Sequence, residues 1–325
     1  MNENHEETRE EKRGWRWGVH RWWVLLFIIL NVFAARYYPP VLPHVQLPAE
    51  RLTHEPLFTA PVIGPFFWTN TLWAMVIADI IVLAVALFVR RAARQGNLVP
   101  SGFFGAIEAF FEAIYNLTES TAGRWAKAIF PYFATITFFV LIVNWMELIP
   151  GVDSIGIIER TAGEGHEVSQ LAPGIATITD EEGEFSLIPY IRVLSTDLNF
   201  TVALALIAVF MTQVMGIRAQ GSSYFTKFFN VKGIFSRPIF GVIDFAVGLL
   251  EIISEFSKIL SFSFRLFGNI FAGSVLLFVI GTLVPVFAQT GVLMLEFFVG
   301  LIQALIFGML TMVFMSQATQ GHEGH

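Results

Sequence analysis

One arginine carries the strongest chemical signal in this sequence. Arg265 stands in the segment Ser261-Phe-Ser-Phe-Arg-Leu-Phe-Gly-Asn269, inside an apolar run with no proline from Ile239 to Val284. An ionised guanidinium at membrane depth costs several kcal/mol and cannot escape that cost by losing its proton. Arg265 therefore predicts a functional site, and we expect a negatively charged group to pass the arginine there.

Other ionisable and amide side chains lie at helical spacing around this arginine. Glu251, Lys258 and Arg265 are spaced by sevens, so a helix would present them in one stripe. Glu296 and Gln303, in the last apolar run, share a face that we expect to meet this stripe. Three further polar residues lie beside the stripe, namely Ser254, Ser261 and Asn269.

Two earlier segments add acids and amides at their outer ends. Asn144 and Glu147 are one helical turn apart, and Asp197 and Asn199 begin the segment that returns. An acid and an amide on each arm of one hairpin predict a wet cavity open to the outside. The inner opening is expected near Glu251, Ser254 and Lys258.

Structural interpretations of the same residues stay open. Arg265 could be neutralised by Glu296 or Glu251 in a buried ion pair, although an apolar pair is usually as stable without the desolvation cost. Lys258 could extend its ammonium group to a membrane interface. Glu147 and Asp197 could be loop-end carboxylates in the solvated headgroup region. Gln303 could make only an interhelical hydrogen bond.

The composition is that of a membrane protein. Of the 325 residues, 55% are hydrophobic and 14% charged, with 34 Phe and 8 Trp, and the mean hydropathy is +0.64. No cysteine is present, which excludes disulfides and thiolate metal sites. Apolar stretches of bilayer length are predicted at roughly 68–89, 129–149, 198–217, 239–284 and 286–316.

The last two stretches are too long for an upright helix. As single helices they would measure about 69 Å and about 46 Å, against a hydrocarbon core of about 30 Å. Each must therefore be strongly tilted or broken. We predict an all-α, polytopic membrane protein whose two long, strongly tilted C-terminal helices form a hairpin. An amphipathic interfacial helix is expected at 102–118, where Glu108 and Glu112 lie one turn apart.

Basic residues predict the orientation through the positive-inside rule. If the spans alternate, only four basic residues fall outside (Arg36, Arg51, Arg160 and Arg192), whereas most of the 20 fall on the other side. That side, with the C-terminus, is then cytoplasmic, and the acidic loop 151–191 is external. The apolar run within 22–37 is either a short uncleaved span or a cleaved signal segment.

Sequence motifs give little support to an enzyme. The chain has no nucleotide-binding loop, no His-Glu-x-x-His and no Gly-x-Ser-x-Gly, and its seven histidines lie outside the predicted spans. We expect no cofactor, no metal site and no nucleic-acid partner.

The segment Arg265-Leu-Phe-Gly-Asn269-Ile-Phe-Ala-Gly273 resembles subunit a of the membrane sector (Fo) of F-type ATP synthases. The resemblance extends to Glu251 and Lys258, to Gln303-Ala-Leu-Ile-Phe, to Asn144-Trp-Met-Glu147-Leu-Ile-Pro150 and to Asp197-Leu-Asn199. It covers roughly 67–318 and implies a membrane domain there. Residues 1–66 would hold a basic cytoplasmic segment, the 22–37 segment and an external Pro-rich loop, and 319–325 a cytoplasmic tail.

The resemblance implies a non-catalytic stator subunit with two aqueous half-channels against a rotating ring of c subunits. Arg265 would be the indispensable arginine that separates the channels, and Gln303 its polar partner. The outer half-channel would use Asn144, Glu147, Asp197, Asn199 and Glu296, and the inner one Glu251, Ser254 and Lys258. Further implied partners are the subunit b stalk, the F1 ATPase and membrane lipid, in a bacterial plasma membrane.

The chain departs from some relatives at two positions. Ser274 stands where they carry an acid or histidine, and Glu296 where they carry histidine. The alternative function is a secondary transporter or channel that binds an anionic solute at Arg265, which predicts internal inverted repeats with interrupted helices. A structural scaffold is the third class, but it would not need acids, amides and basic groups on facing stripes.

Overall fold

The computed structural model describes residues 17–37, 48–61, 64–94, 103–149, 152–172, 175–228, 238–283 and 287–320. The described chain is mostly helical, and the predicted class is confirmed. Five segments are long and apolar enough to cross a membrane: Asn70–Arg91, Gly105–Met146, Leu198–Lys227, Phe245–Leu283 and Ala288–Thr319. The protein is therefore a multi-pass membrane protein.

Seven α-helices form the framework of the described residues. They are α1 (Trp17–Tyr37), α2 (Asn70–Arg94), α3 (Phe103–Ala122), α4 (Ala126–Met146), α5 (Leu198–Gln220), α6 (Pro238–Leu283) and α7 (Phe287–Thr319). A 3-10 helix, Gly221–Lys227, follows α5. The helix α7 packs against α4, α5 and α6, and α5 also packs against α6; α3 packs on α4 and α7, and α2 packs on α4.

Helix α6 is unbroken over its 46 residues. Proline at its first position suits a helix start, because its missing N–H has no partner to lose there. The glycines within α6 do not interrupt it, so α6 is not broken. The tilt angle of α6 and α7 in a membrane stays a prediction.

The core lies between α4, α5, α6 and α7. Phe262, Leu266 and Ile270, one turn apart on α6, are buried against Val140 of α4 and Ala304 of α7. These residues follow the spacing that keeps one side of a helix in contact with its neighbours. The opposite side of α6, which includes Phe256, Leu260 and Phe264, is exposed.

The acidic segment 151–191 is not an irregular loop. It forms an antiparallel hairpin of β3 (Gly156–Ala172) and β4 (Ile175–Pro189), with Gly156 opposite Pro189 and Ala172 opposite Ile175. We call it the acidic hairpin. Ile, Val, Thr and Phe placed among the acids explain its strand preference. A second, short hairpin pairs β1 (Phe58–Ala60) with β2 (Gly64–Phe66).

Two other sequence predictions concern peripheral helices. The amphipathic segment 102–118 is helical as part of α3, with Ile114 and Thr118 buried and Glu108 and Glu112 exposed. Its position at a membrane interface stays a prediction. The segment 22–37 is helical within α1, and the choice between a span and a signal segment stays open.

Candidate functional site

Buried acids and amides meet where α4, α6 and α7 approach the start of α5. Ser195 Oγ donates to Asn144 Oδ1 at 2.6 Å, and Asn144 Nδ2 donates to the Gly300 carbonyl at 3.1 Å. Ser274 Oγ donates to Glu147 Oε1. The glutamate of α7, Glu296, lies with its carboxylate against the backbone of Gly273. We call the following buried residues the carboxylate cluster: Asn144, Glu147, Ser195, Asp197, Ser274 and Glu296.

Asp197 places one acid of this cluster at the start of α5. It caps the helix, because its Oδ1 accepts a hydrogen bond from the Asn199 backbone N–H at 2.9 Å. Its Oδ2 accepts a hydrogen bond from Thr71 Oγ1 at 3.1 Å, and both residues are buried. The side chain of Asn199 is exposed. The cluster thus has a route of polar groups toward the start of α2.

Glu296 differs from the other acids of the cluster. Its Oε2 is buried and has no hydrogen-bond partner among the described residues. A buried, unsatisfied carboxylate oxygen is costly unless water or a proton reaches it. The carboxylate of Glu296 lies against Gly273, the residue before Ser274 in α6.

A second ionic group lies beyond the other end of α5. Lys227 Nζ is 2.6 Å from Glu251 Oε1 and 3.5 Å from Glu255 Oε1, and Lys258 Nζ donates to Glu255 Oε1 at 2.8 Å. We call these four residues the lysine–glutamate cluster. They line a cavity of about 370 Å³ together with Thr212, Tyr224, Phe314, Gln317, Ala318 and Gln320.

Arg265 lies between the two clusters on the exposed side of α6. Its Nη2 donates to Ser261 Oγ at 3.2 Å, and no carboxylate among the described residues lies within ion-pair distance. Along the axis it is roughly 10 Å from Lys258 and roughly 14 Å from Ser274. Asn269, one turn further, is also exposed. The guanidinium is therefore free to meet an anion outside this chain.

The structural interpretations of Arg265 and Lys258 fare differently. Glu251 is paired with Lys227, so it does not neutralise Arg265. Lys258 does have a structural partner in Glu255, which makes its ammonium part of a half-buried network. Gln303 is buried on α7. Ser254 is half-buried and is not among the side chains that line the cavity.

Sequence reasoning did not single out several residues that the fold brings to these clusters. Glu255 carried a signal, because it lies one turn from Glu251 and from Lys258 on the same helix face. No sequence pattern indicated Lys227 or Ser195, because their partners are distant along the chain. Thr71 reaches Asp197 across 126 positions of sequence, which no local pattern reveals.

The fold and these clusters define a class: a polytopic helical membrane protein with buried ionisable groups near both ends of one span and an exposed arginine between them. A family comparison agrees with it. The model of the ATP synthase A chain family matches residues 72–316, and the chain belongs to that family.

Curated relatives give the same result. The chain is 30% identical over 268 residues to the ATP synthase subunit a of Helicobacter pylori (strain Shi470), covering 81% of this chain and 97% of the relative. It is 31% identical over 278 residues to the ATP synthase subunit a of Mycobacterium bovis (strain ATCC BAA-935 / AF2122/97), covering 82% and 93%. The family predicted from the sequence is thereby confirmed.

Proposed function

We propose that this chain is the ion-translocating stator subunit of an F-type ATP synthase. It would offer two aqueous half-channels to a rotating ring of c subunits, and Arg265 would keep the channels apart. The carboxylate cluster would form the outer half-channel and the lysine–glutamate cluster the inner one. The ring, the subunit b stalk and the F1 ATPase are the proposed partners, and the C-terminus is proposed to be cytoplasmic.

One observation supports this proposal above the others. The two clusters lie near opposite ends of α5, whose 23 residues span about 35 Å, close to the thickness of a bilayer core. Neither cluster extends across the whole of that distance. An ion that enters one cluster must therefore leave the chain, and return to it, near the exposed arginine.

The chemistry follows from the charge of Arg265. A carboxylic acid on the ring can cross lipid when neutral, and it must lose its proton to the inner channel before it meets the guanidinium. It regains a proton from the outer channel as it leaves. A potential of 100 mV supplies about 2.3 kcal/mol per charge, so the ion pair must not be much stronger than that. Water beside an exposed arginine keeps the pair weak enough to separate.

Substitutions of Arg265 test the proposal. Arg265→Lys should abolish coupled ATP synthesis, because lysine can lose its proton when it is desolvated and has no planar fork for two partners. Arg265→Ala should also abolish it, and in addition should let protons leak passively through the assembled membrane sector. The measurements are ATP synthesis, proton flux in vesicles stripped of the ATPase, and subunit content.

The matched control is Arg218→Lys, at the exposed end of α5, which should keep coupled synthesis. An Arg265→Ala complex that assembles fully and still pumps protons with ATP would refute the proposed function. Loss of assembly that is rescued by neutralising Glu296 or Glu251 would instead favour a structural ion pair.

A further inference from the structure

One buried acid of the lysine–glutamate cluster has no individual role in the function proposed so far. Glu255 lies on α6 in the lysine–glutamate cluster and is 9% exposed. Its Oε1 receives Lys258 Nζ at 2.8 Å and lies 3.5 Å from Lys227 Nζ. Its Oε2 is buried and has no hydrogen-bond partner among the described residues. The two oxygens of one carboxylate therefore have different environments.

The cavity beside Glu255 can hold water. Its volume of about 370 Å³ has room for on the order of ten molecules, and Tyr224, Lys227, Glu251 and Lys258 contribute polar groups to its wall. Water in such a cavity is the natural partner for a carboxylate oxygen that no side chain satisfies.

The charges around Glu255 explain why one oxygen stays available. Lys227 is held mainly by Glu251 at 2.6 Å, and Lys258 is held by Glu255 itself. Among the described residues, α7 adds only Phe314, Gln317 and Ala318 to the cavity wall, Gln320 follows just after that helix, and α5 adds only Thr212, so none of these is charged. The charges of the two lysines and the two glutamates cancel, so the cluster has no excess positive charge before it takes up a proton.

We propose that Glu255 is the proton-relay residue of the inner half-channel, a role that rests on the proposed function. Oε2 accepts a proton from a hydronium ion in the cavity, so that an O–H bond forms on the carboxylate as one breaks in the hydronium. The neutral acid then returns the proton to water on the cytoplasmic side. Lys258 and Lys227 position the carboxylate through Oε1, and the binding of Lys227 by Glu251 keeps that lysine from closing over Oε2.

The test uses the assembled ATP synthase in membrane vesicles. Glu255→Gln keeps the shape of the side chain but cannot take up a proton, so passive proton flux per assembled complex should fall at least about tenfold. Glu255→Asp keeps the acid and should restore most of the flux. The control Ser257→Ala, on the exposed side of the same helix turn, should leave the flux unchanged. The rate of ATP synthesis plotted against inner pH should lose one titrating group in Glu255→Gln.

A structural role for Glu255 predicts other results. Glu255→Gln would then lower the amount of complex while the flux per complex and the shape of the pH profile stayed as in the parent protein, and that result would overturn the proposal. If Glu255→Gln does not assemble, Glu255→Gln/Lys258→Gln removes both charges of one pair and leaves the Lys227–Glu251 pair intact. A flux in this double variant no lower than in Lys258→Gln alone would also overturn it.

The Arg265 variants separate this proposal from the function on which it rests. Coupled pumping in Arg265→Ala would remove both proposals. Loss of coupling in Arg265→Ala together with normal flux in Glu255→Gln would remove only the relay.

Discussion

Arg265 and Glu296 face opposite requirements at the level of single residues. The arginine is permanently charged and exposed on α6, and no carboxylate among the described residues pairs with it. The glutamate is buried on α7, and one of its oxygens has no hydrogen-bond partner in the part of the chain that the structure describes. Burying that oxygen costs free energy unless a proton or a water molecule satisfies it. In the proposed function, Arg265 supplies a fixed cation and Glu296 an acid that takes up and releases protons.

We expect Glu296→Gln to slow proton-driven ATP synthesis at least about tenfold while the complex stays assembled. The amide keeps the size of the side chain and removes its ability to titrate. Glu147→Gln and Asp197→Asn should have smaller effects, because water can bypass a single acid in a wet cavity. Synthesis rates and subunit content, measured on the same vesicles, check this, and normal synthesis in Glu296→Gln would contradict the role.

At this scale the sequence predicted the residues better than their partners. Arg265, Glu251 and Lys258 were found because an ionisable group in an apolar run is conspicuous and helical spacing places it on a face. The contacts of Lys227 with Glu251 and Glu255 depend on how the 3-10 helix folds back on α6. Only tertiary structure determines that approach.

The elements hold these residues through close helix contacts made at glycines. Gly300 lies so near α4 that a Cβ there would come within 3.2 Å of Asn144 Cβ, which brings the amide of Asn144 to the Gly300 carbonyl. Gly308, two turns further, faces Thr137 and Phe133 with no room for a side chain. Small residues at such contacts let membrane helices approach closely.

This contact predicts opposite effects for two glycines of α7. Gly308→Ala should destabilise the α4–α7 pair by about 1–3 kcal/mol, because the methyl group would overlap Thr137 and Phe133. Gly291→Ala, where a Cβ meets open space, should be neutral or stabilise the helix by up to about 1 kcal/mol. Thermal unfolding of the two purified variants in detergent, followed by activity, measures the difference. Equal midpoints would argue against the close α4–α7 packing.

The sequence predicted the long helices but not the acidic hairpin. Apolar runs such as 239–284 far exceed the length of a soluble helix, and α6 (Pro238–Leu283) follows that run almost to its ends. The stretch 156–189 mixes acids and glycines with β-branched residues, and its strands pair with considerable irregularity. The stretch was predicted as a loop because it lies between two apolar spans, and that position does not reveal that its two halves pair as strands.

The whole molecule places its two clusters about one bilayer thickness apart, so the orientation of the chain decides which cluster receives ions. The acidic hairpin follows α4 near the carboxylate cluster, and the 3-10 helix with Lys227 belongs to the lysine–glutamate cluster. The positive-inside rule predicts that the hairpin is external and the 3-10 helix cytoplasmic. The outer and inner assignments of the clusters depend on this prediction.

Single cysteines test the orientation, and the absence of native cysteines makes the experiment clean. Thr177→Cys, exposed on β4, should react with a membrane-impermeant thiol reagent from the periplasmic side, and Ser223→Cys, exposed on the 3-10 helix, only from the cytoplasmic side. Both positions are exposed, and the prediction places them on opposite sides of the membrane. Each therefore serves as the control for the other in right-side-out and inverted vesicles. Reversed labelling would exchange the two half-channels, because the carboxylate cluster would then open to the cytoplasm. The direction in which protons must pass Arg265 to drive synthesis would be exchanged with them.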